Sequence, residues 1–198
     1  MDISDLLREI RQCRFCFSEQ EGEARTPFVY SPANPDIVVV SEMPSTAAWE
    51  KDMGSLWARG DLFGGRTRGA PHKLCQWLEM DQNEASNRFF WIQRANCAIS
   101  IGKRFAFQHC SAKFLDRAID LVDPRIVLIL GRFAAEYFFK FRDTKEVMGE
   151  VRTYEGSQVP HDCIVLTHPS QAAQKYQKRP EQKKSIQLAI EKIRTASM

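Results

Sequence analysis

Pro124-Arg125-Ile126-Val127-Leu128-Ile129-Leu130-Gly131-Arg132 combines a proline that stops the preceding helix, five apolar residues and a glycine turn. A run apolar at every position, rather than every second one, reads as a parallel strand covered on both faces. Three further runs share that character: Ile37-Val-Val-Val40, Phe89-Phe-Trp-Ile92 and Cys163-Ile-Val-Leu166. Between them apolar residues recur at helical spacing. Leu74, Trp77 and Leu78 mark one helix, and Phe114, Leu115, Ala118, Ile119 and Val122 another, ended by Pro124. Arg132 to Phe141 predicts a third, and a last helix starting near Pro180 carries Ile186, Ile190 and Ile193 on one face. The alternation implies a three-layer α/β/α sandwich around a central four-stranded parallel sheet. Met148 to Pro160, with Gly149 and Gly156, reads as an irregular or hairpin excursion.

The 198 residues fit one domain, residues 1–198, large enough to close a sizeable core. With 43% hydrophobic and 27% charged residues, the composition excludes overall disorder, collagen and coiled coil. No apolar run approaches the roughly 18–20 residues of a membrane span. The acidic start, Met1-Asp2-Ile3-Ser4-Asp5, lacks the pattern of a signal peptide, so a cytoplasmic protein is expected, without a membrane partner. The net charge of +3 is too mild to establish nucleic-acid binding. Seven basic residues against two acidic ones between Lys175 and Arg194 form either a binding face or a solvated basic helix.

In an open parallel sheet, ligands bind beyond the carboxyl ends of the strands. Here those ends carry Ser41-Glu42-Met43-Pro44-Ser45, Gln93, Gly131-Arg132 and Thr167-His168-Pro169-Ser170, so a carboxylate, an amide, a backbone turn and an imidazole converge on one rim. Of six cysteines, Cys13 and Cys16 form a Cys-x2-Cys pair at the end of a helical stretch marked by Ile3, Leu6, Leu7 and Ile10. The pair reads as a metal or redox site. Cys97 and Cys110 complete four candidate ligands, whereas Cys75 and Cys163 lie in apolar stretches and read as buried small hydrophobes.

Taken in order, these stretches resemble the iron–sulfur branch of the uracil-DNA glycosylase superfamily, usually called family 4, from about Leu6 to Ala173. Asn34-Pro35-Asp36 followed by Ile37-Val-Val-Val-Ser-Glu-Met-Pro-Ser45 is similar to the branch's strand and Gly-Glu-Ala-Pro-Gly motif. Phe63-Gly-Gly-Arg66 resembles its Phe-Val-Gly-Arg segment. Trp91-Ile-Gln-Arg-Ala-Asn-Cys97 resembles its Asn-ended strand before a cluster cysteine. Pro124 to Arg132 with Ala134-Ala135 resembles Pro-Arg…Leu-Gly-Arg-x-Ala, and Thr167-His-Pro-Ser170 matches the His-Pro-Ser motif.

The resemblance implies a monomeric hydrolase that removes uracil from single- or double-stranded DNA in base excision repair. The base is flipped out of its stack. Phe63 would stack on it and Gln93 read its O4/N3 edge. His168 would donate to the departing O2, and Glu42 would orient or deprotonate water. Ser170 would grip phosphate, with Arg66, Arg68, Lys103, Arg104 and Lys175 as further phosphate contacts. Cys13, Cys16, Cys97 and Cys110 would hold a structural [4Fe–4S] cluster; zinc suits the same sulfurs. Everything rests on Glu42, Gln93 and His168 meeting over one pocket.

The chain departs from the branch at named positions. Ser41 and Ser45 replace glycines, so the pocket floor is expected to differ. Gln93 replaces the base-reading asparagine, and strand alternation turns Asn96 to the other face. Gln171-Ala172-Ala173 replaces bulkier wedge residues, and the loop from Ala98 to His109 lacks a histidine-bearing insert. These departures leave two rival expectations: a catalytically weak iron–sulfur DNA-binding protein, or a glycosylase for hypoxanthine, xanthine or a modified uracil.

Overall fold

The structure is a computed structural model describing residues 2–16, 25–65, 68–98, 105–170 and 177–195. Of the expected phosphate contacts, Arg66, Lys103, Arg104 and Lys175 lie outside the described residues, as do Gln171-Ala172-Ala173 and residues 99–104 of the 98–109 loop. The four apolar runs form strands β1 (Ile37–Ser41), β2 (Phe89–Gln93), β3 (Ile126–Leu130) and β5 (His161–Leu166), mutually parallel. The sheet has five strands rather than four. Arg152–Tyr154 forms β4, which pairs antiparallel with β5 and closes the edge in the order β2-β1-β3-β5-β4. This corrects the expected strand count. Within the Met148–Pro160 excursion, Tyr154 is buried and its hydroxyl donates to Asp116 at 2.7 Å, pinning the short strand to the body.

β1, β2 and β3 are each buried along their whole length because their two sets of side chains enter different cores. Val38, Val40, Phe90, Ile92, Val127, Ile129 and Val165 face one core. Against them pack α1 (Ile3–Gln12), α7 (Asp116–Val122) and α8 (Arg132–Phe138). Ile37, Val39, Phe89, Trp91, Leu128, Leu130 and Leu166 face the other core. There they meet α3 (Met53–Ala58), α4 (Ala70–Leu78), α5 (Gln82–Arg88) and α9 (Pro180–Arg194). Period-two alternation within unbroken apolar runs thus builds three layers.

The helix boundaries follow local chemistry. Asp2 caps α1 through a reciprocal box with Asp5. α7 ends at Asp123, in the left-handed region at φ 47°, immediately before Pro124. α8 stops at Phe138, short of the expected Phe141, because Phe139 turns extended while its N–H still bonds Ala135. Short helices α2 (Thr46–Glu50) and α6 (Phe105–Cys110) carry no long apolar period and were not legible as elements; a wider, π-type turn over Ser111–Leu115 joins α6 to α7. On α9, Lys192 pairs with Asp162 and Arg194 with Glu79, both at 2.6 Å, so part of the basic stretch is neutralised within the fold. Among the described residues no helix is long and apolar enough to cross a membrane.

Candidate active site

β1 and β2 run in register, so Ser41 and Gln93 stand side by side at the carboxyl edge. β3 and β5 end together at Leu130 and Leu166, delivering Gly131 and Thr167-His168 to the same rim. The chain leaves β1 toward β2 and returns on the other side as β3, so the rim lies at the topological switch point of the sheet.

Two cavities open there. The larger, about 610 Å³, is lined by Ser41, Phe63, Trp91, Gln93, His168 and Ser170, among others. The second, about 480 Å³, is lined by Glu42, Arg132, Phe133, Arg142, Asp143 and Arg179, and again by His168 and Ser170. The structure therefore brings Phe63, Gln93, His168 and Ser170 to one cavity. Glu42 lines the neighbouring one, contrary to the single pocket expected, because Ser41 points into the first cavity and the next residue of an extended chain faces the other way. The His168–Ser170 loop is the wall they share.

Gln93 is 5% exposed and its Oε1 has no hydrogen-bond partner among the described residues. A buried acceptor left unpaired costs about 1–3 kcal/mol, a cost that a donor entering the cavity would relieve. Asn96 does not line the cavity; its Oδ1 accepts the Gln93 N–H at 3.0 Å and fixes the end of β2. The two serines that replace glycine take ordinary roles. Ser41 Oγ accepts from Trp91 Nε1 at 3.0 Å, and Ser45, at φ −66°, caps α2 by accepting from Ala48 N–H. Neither position needs a left-handed backbone, so serine is tolerated.

Phe63 follows α3 on a turn whose Gly64 and Gly65 both sit at φ 61°, and its ring stands edge-on to His72, centroids 4.8 Å apart. His168 is partly buried, and desolvation lowers its pKa below the ordinary 6.5, favouring the neutral imidazole. Its loop is held from both sides. Thr167 N–H donates to Gln182 Oε1 at 2.6 Å, and Gln177 Nε2 donates to Ser170 O at 3.1 Å. Gly131, at φ 89° and ψ 168°, sits so close that a Cβ there would lie 3.0 Å from His168 Cβ. Sequence reasoning missed Gln182 because its contact is 15 residues away in the chain, and it missed His72 because nothing local distinguishes that histidine.

Burial raises the Glu42 pKa above 4.5, opposed by the positive charge of Arg94. The Arg94 guanidinium lies over the rings of Phe107 and Tyr137 and donates to Phe133 O. Around Glu42 the second cavity carries three arginines, of which Arg132 is paired with Glu136 and Arg179 lies 3.8 Å from Asp143.

A model of the uracil DNA glycosylase superfamily matches residues 27–194. The chain belongs to that superfamily. No curated protein matches the chain individually. Superfamily membership supports a DNA glycosylase-type function with DNA as partner.

The cysteines occupy a separate corner. Cys16, Cys97 and Cys110 are buried and Cys13 is half-buried. For Cys16 the hydrogen bond with Cys110 acts downward, but the bond with Cys97 and burial prevail, and the thiol is pushed up to about 11. The same bond and burial push Cys110 up. Among the described residues no three His, Cys, Asp or Glu side chains are arranged to hold one metal ion. Cys75 and Cys163 lie in the two cores, as expected, each pushed up to about 12 by burial.

Proposed function

We propose that this protein is a uracil-DNA glycosylase of base excision repair that hydrolyses the N-glycosidic bond of uracil in DNA. The observation that carries the reading is the buried, unpartnered Gln93 Oε1 in a cavity whose edge is His168. The extruded base enters the larger cavity. Phe63 supplies an aromatic face, and the Gln93 amide pairs with the base's N3–H and O4 edge, replacing the partner lost when the base leaves the duplex.

Cleavage passes through an oxocarbenium-like state, the C1′–N1 bond breaking with its electron pair leaving on the base. Charge collects on O2, and neutral His168 donates its N–H to that oxygen. Water adds to C1′ from the side of the second cavity, where Glu42 takes its proton and its negative charge faces the sugar cation. The departing base is then protonated by solvent, leaving an abasic site. Because base and carboxylate occupy different cavities, the sugar lies across the His168–Ser170 wall, with its phosphates toward Ser170 and the arginines.

Cys13, Cys16, Cys97 and Cys110 would hold a [4Fe–4S] cluster, as in the iron–sulfur branch that the sequence resembles. Support comes from the Cys16 thiol, which hydrogen-bonds with those of Cys97 and Cys110 brought to it by distant segments. The cluster would tie the end of α1 to the segment after β2. When bound it supplies cross-linking rather than a step in hydrolysis.

The test is incubation with oligonucleotides bearing uracil, hypoxanthine, xanthine or hydroxymethyluracil, followed by alkali. Strand breaks at uracil are expected, and their absence with retained DNA binding would instead identify a non-hydrolytic DNA-binding protein. Four irons per chain with visible absorption are expected for the cluster; one zinc would overturn it.

A further inference from the structure

The larger cavity has a second polar wall that the uracil mechanism does not use. His72, in the first turn of α4, is 8% exposed and lines this cavity, and neither Nδ1 nor Nε2 has a hydrogen-bond partner among the described residues. The Phe63 ring beside it can accept at most one N–H on its face. An imidazole presents two ring nitrogens, one donor and one acceptor when neutral, so at least one remains for an occupant of the cavity. Burying such a group unpaired is costly.

Uracil offers it nothing. Its O2 goes to His168 and its N3–H and O4 to Gln93, which leaves only the apolar C5–C6 edge. An oxopurine engages the same amide through its N1–H and O6, and its fused five-membered ring adds an N7 acceptor beyond that edge. The cavity, at about 610 Å³, is within the 300–1,000 Å³ of small-molecule sites, with room for a bicyclic base.

We propose that His72 is a specificity-determining residue that reads the additional ring-nitrogen edge of an extruded oxopurine, so that the enzyme accepts hypoxanthine as well as uracil. The proposal rests on the glycosylase reading of the site. A pocket that hydrogen-bonds a polar edge discriminates strongly against the base lacking it, and truncating the reader removes that discrimination.

The experiment compares single-turnover rates on hypoxanthine and uracil oligonucleotides for the wild type, His72→Leu and His72→Gln. His72→Leu is expected to lower the hypoxanthine-to-uracil ratio at least tenfold, and His72→Gln, which keeps a donor and an acceptor, to restore it in part. Wild-type cleavage of uracil alone, or an equal fall on both bases, overturns the proposal while leaving the glycosylase reading intact. A second readout needs no turnover. With only four histidines in the chain, the His72 ring resonances are assigned by difference and followed by NMR while free hypoxanthine or uracil is added. A shift with hypoxanthine exceeding that with uracil supports the proposal; base binding that moves only His168, or no movement at all, overturns it. Failure of every oligonucleotide to be cleaved would count against the glycosylase reading itself, and the NMR result would then decide the role of His72 alone.

Discussion

The two cavities flanking the His168–Ser170 loop differ in chemistry more than in size. One is walled by Phe28, Met43, Met53, Trp57, Phe63 and Trp91, with amides from Gln93, Gln76 and Gln177, the His72 imidazole and the cations Arg68 and Lys73, and it has no carboxylate among its described lining residues. The other gathers Glu42, Asp143, Arg132, Arg142 and Arg179. A flat aromatic base is recognised best where water is excluded and each hydrogen bond counts, whereas a sugar-phosphate backbone needs charge and tolerates solvent. Under the proposed function, their separation would let a carboxylate serve the sugar without sitting against the base. His168 is the one imidazole belonging to both sides.

The comparison breaks most readily at that shared wall. His168→Ala is expected to lower the single-turnover rate on uracil DNA by about 10²–10³-fold, the usual cost of losing one donor to developing charge, with DNA affinity changed only a few-fold in a gel-shift titration. Comparable losses in rate and affinity would mean that the loop binds rather than catalyses.

Glu42→Gln tests the charged side, with an expected loss of about 10²-fold or more. Burial holds the Glu42 carboxyl above 4.5, and it acts as a base only when ionised. Activity should therefore fall as pH drops through that raised value, giving an acid limb above 4.5 that the glutamine variant lacks. Desolvation lowers the His168 pKa from 6.5 and so favours its neutral form. A limb unaltered in Glu42→Gln would place the base elsewhere.

Gly131→Ala sharpens the geometry of the wall. The φ of 89° with ψ of 168° belongs to a region nearly confined to glycine, and the new Cβ would press on His168 Cβ. A stability loss of about 1–3 kcal/mol in urea denaturation is expected, with activity reduced about tenfold. Full activity in the folded variant would show that His168 has slack. The smallest effect belongs to the arginines: Arg142→Ala should reduce the slope of log affinity against log salt by about one, whereas an unchanged slope would remove phosphate from the second cavity.

Much of this was legible in the sequence. The runs around Val38, Phe90, Leu128 and Ile164 carry a signal that depends only on neighbouring residues, so the sheet, its parallel sense and its ligand edge could all be read in advance. The fifth strand could not be, because three residues such as Arg152, Thr153 and Tyr154 have no periodicity of their own and gain strand character from β5 and from Asp116. Ser45 looked like a departure in a glycine turn, but in the fold it is an ordinary helix cap.

The order of residues along the chain determined the three-layer architecture and delivered Glu42, Gln93 and His168 to one edge, because strand length and side-chain alternation are properties of short segments. Which cavity each side chain enters was decided only in three dimensions. Ser41 and Glu42 are adjacent in sequence yet face different chambers, and His72 becomes a wall of the base cavity through the packing of α4 on the sheet. Such placements depend on where separate helices settle across the rim, and no local pattern encodes that distance.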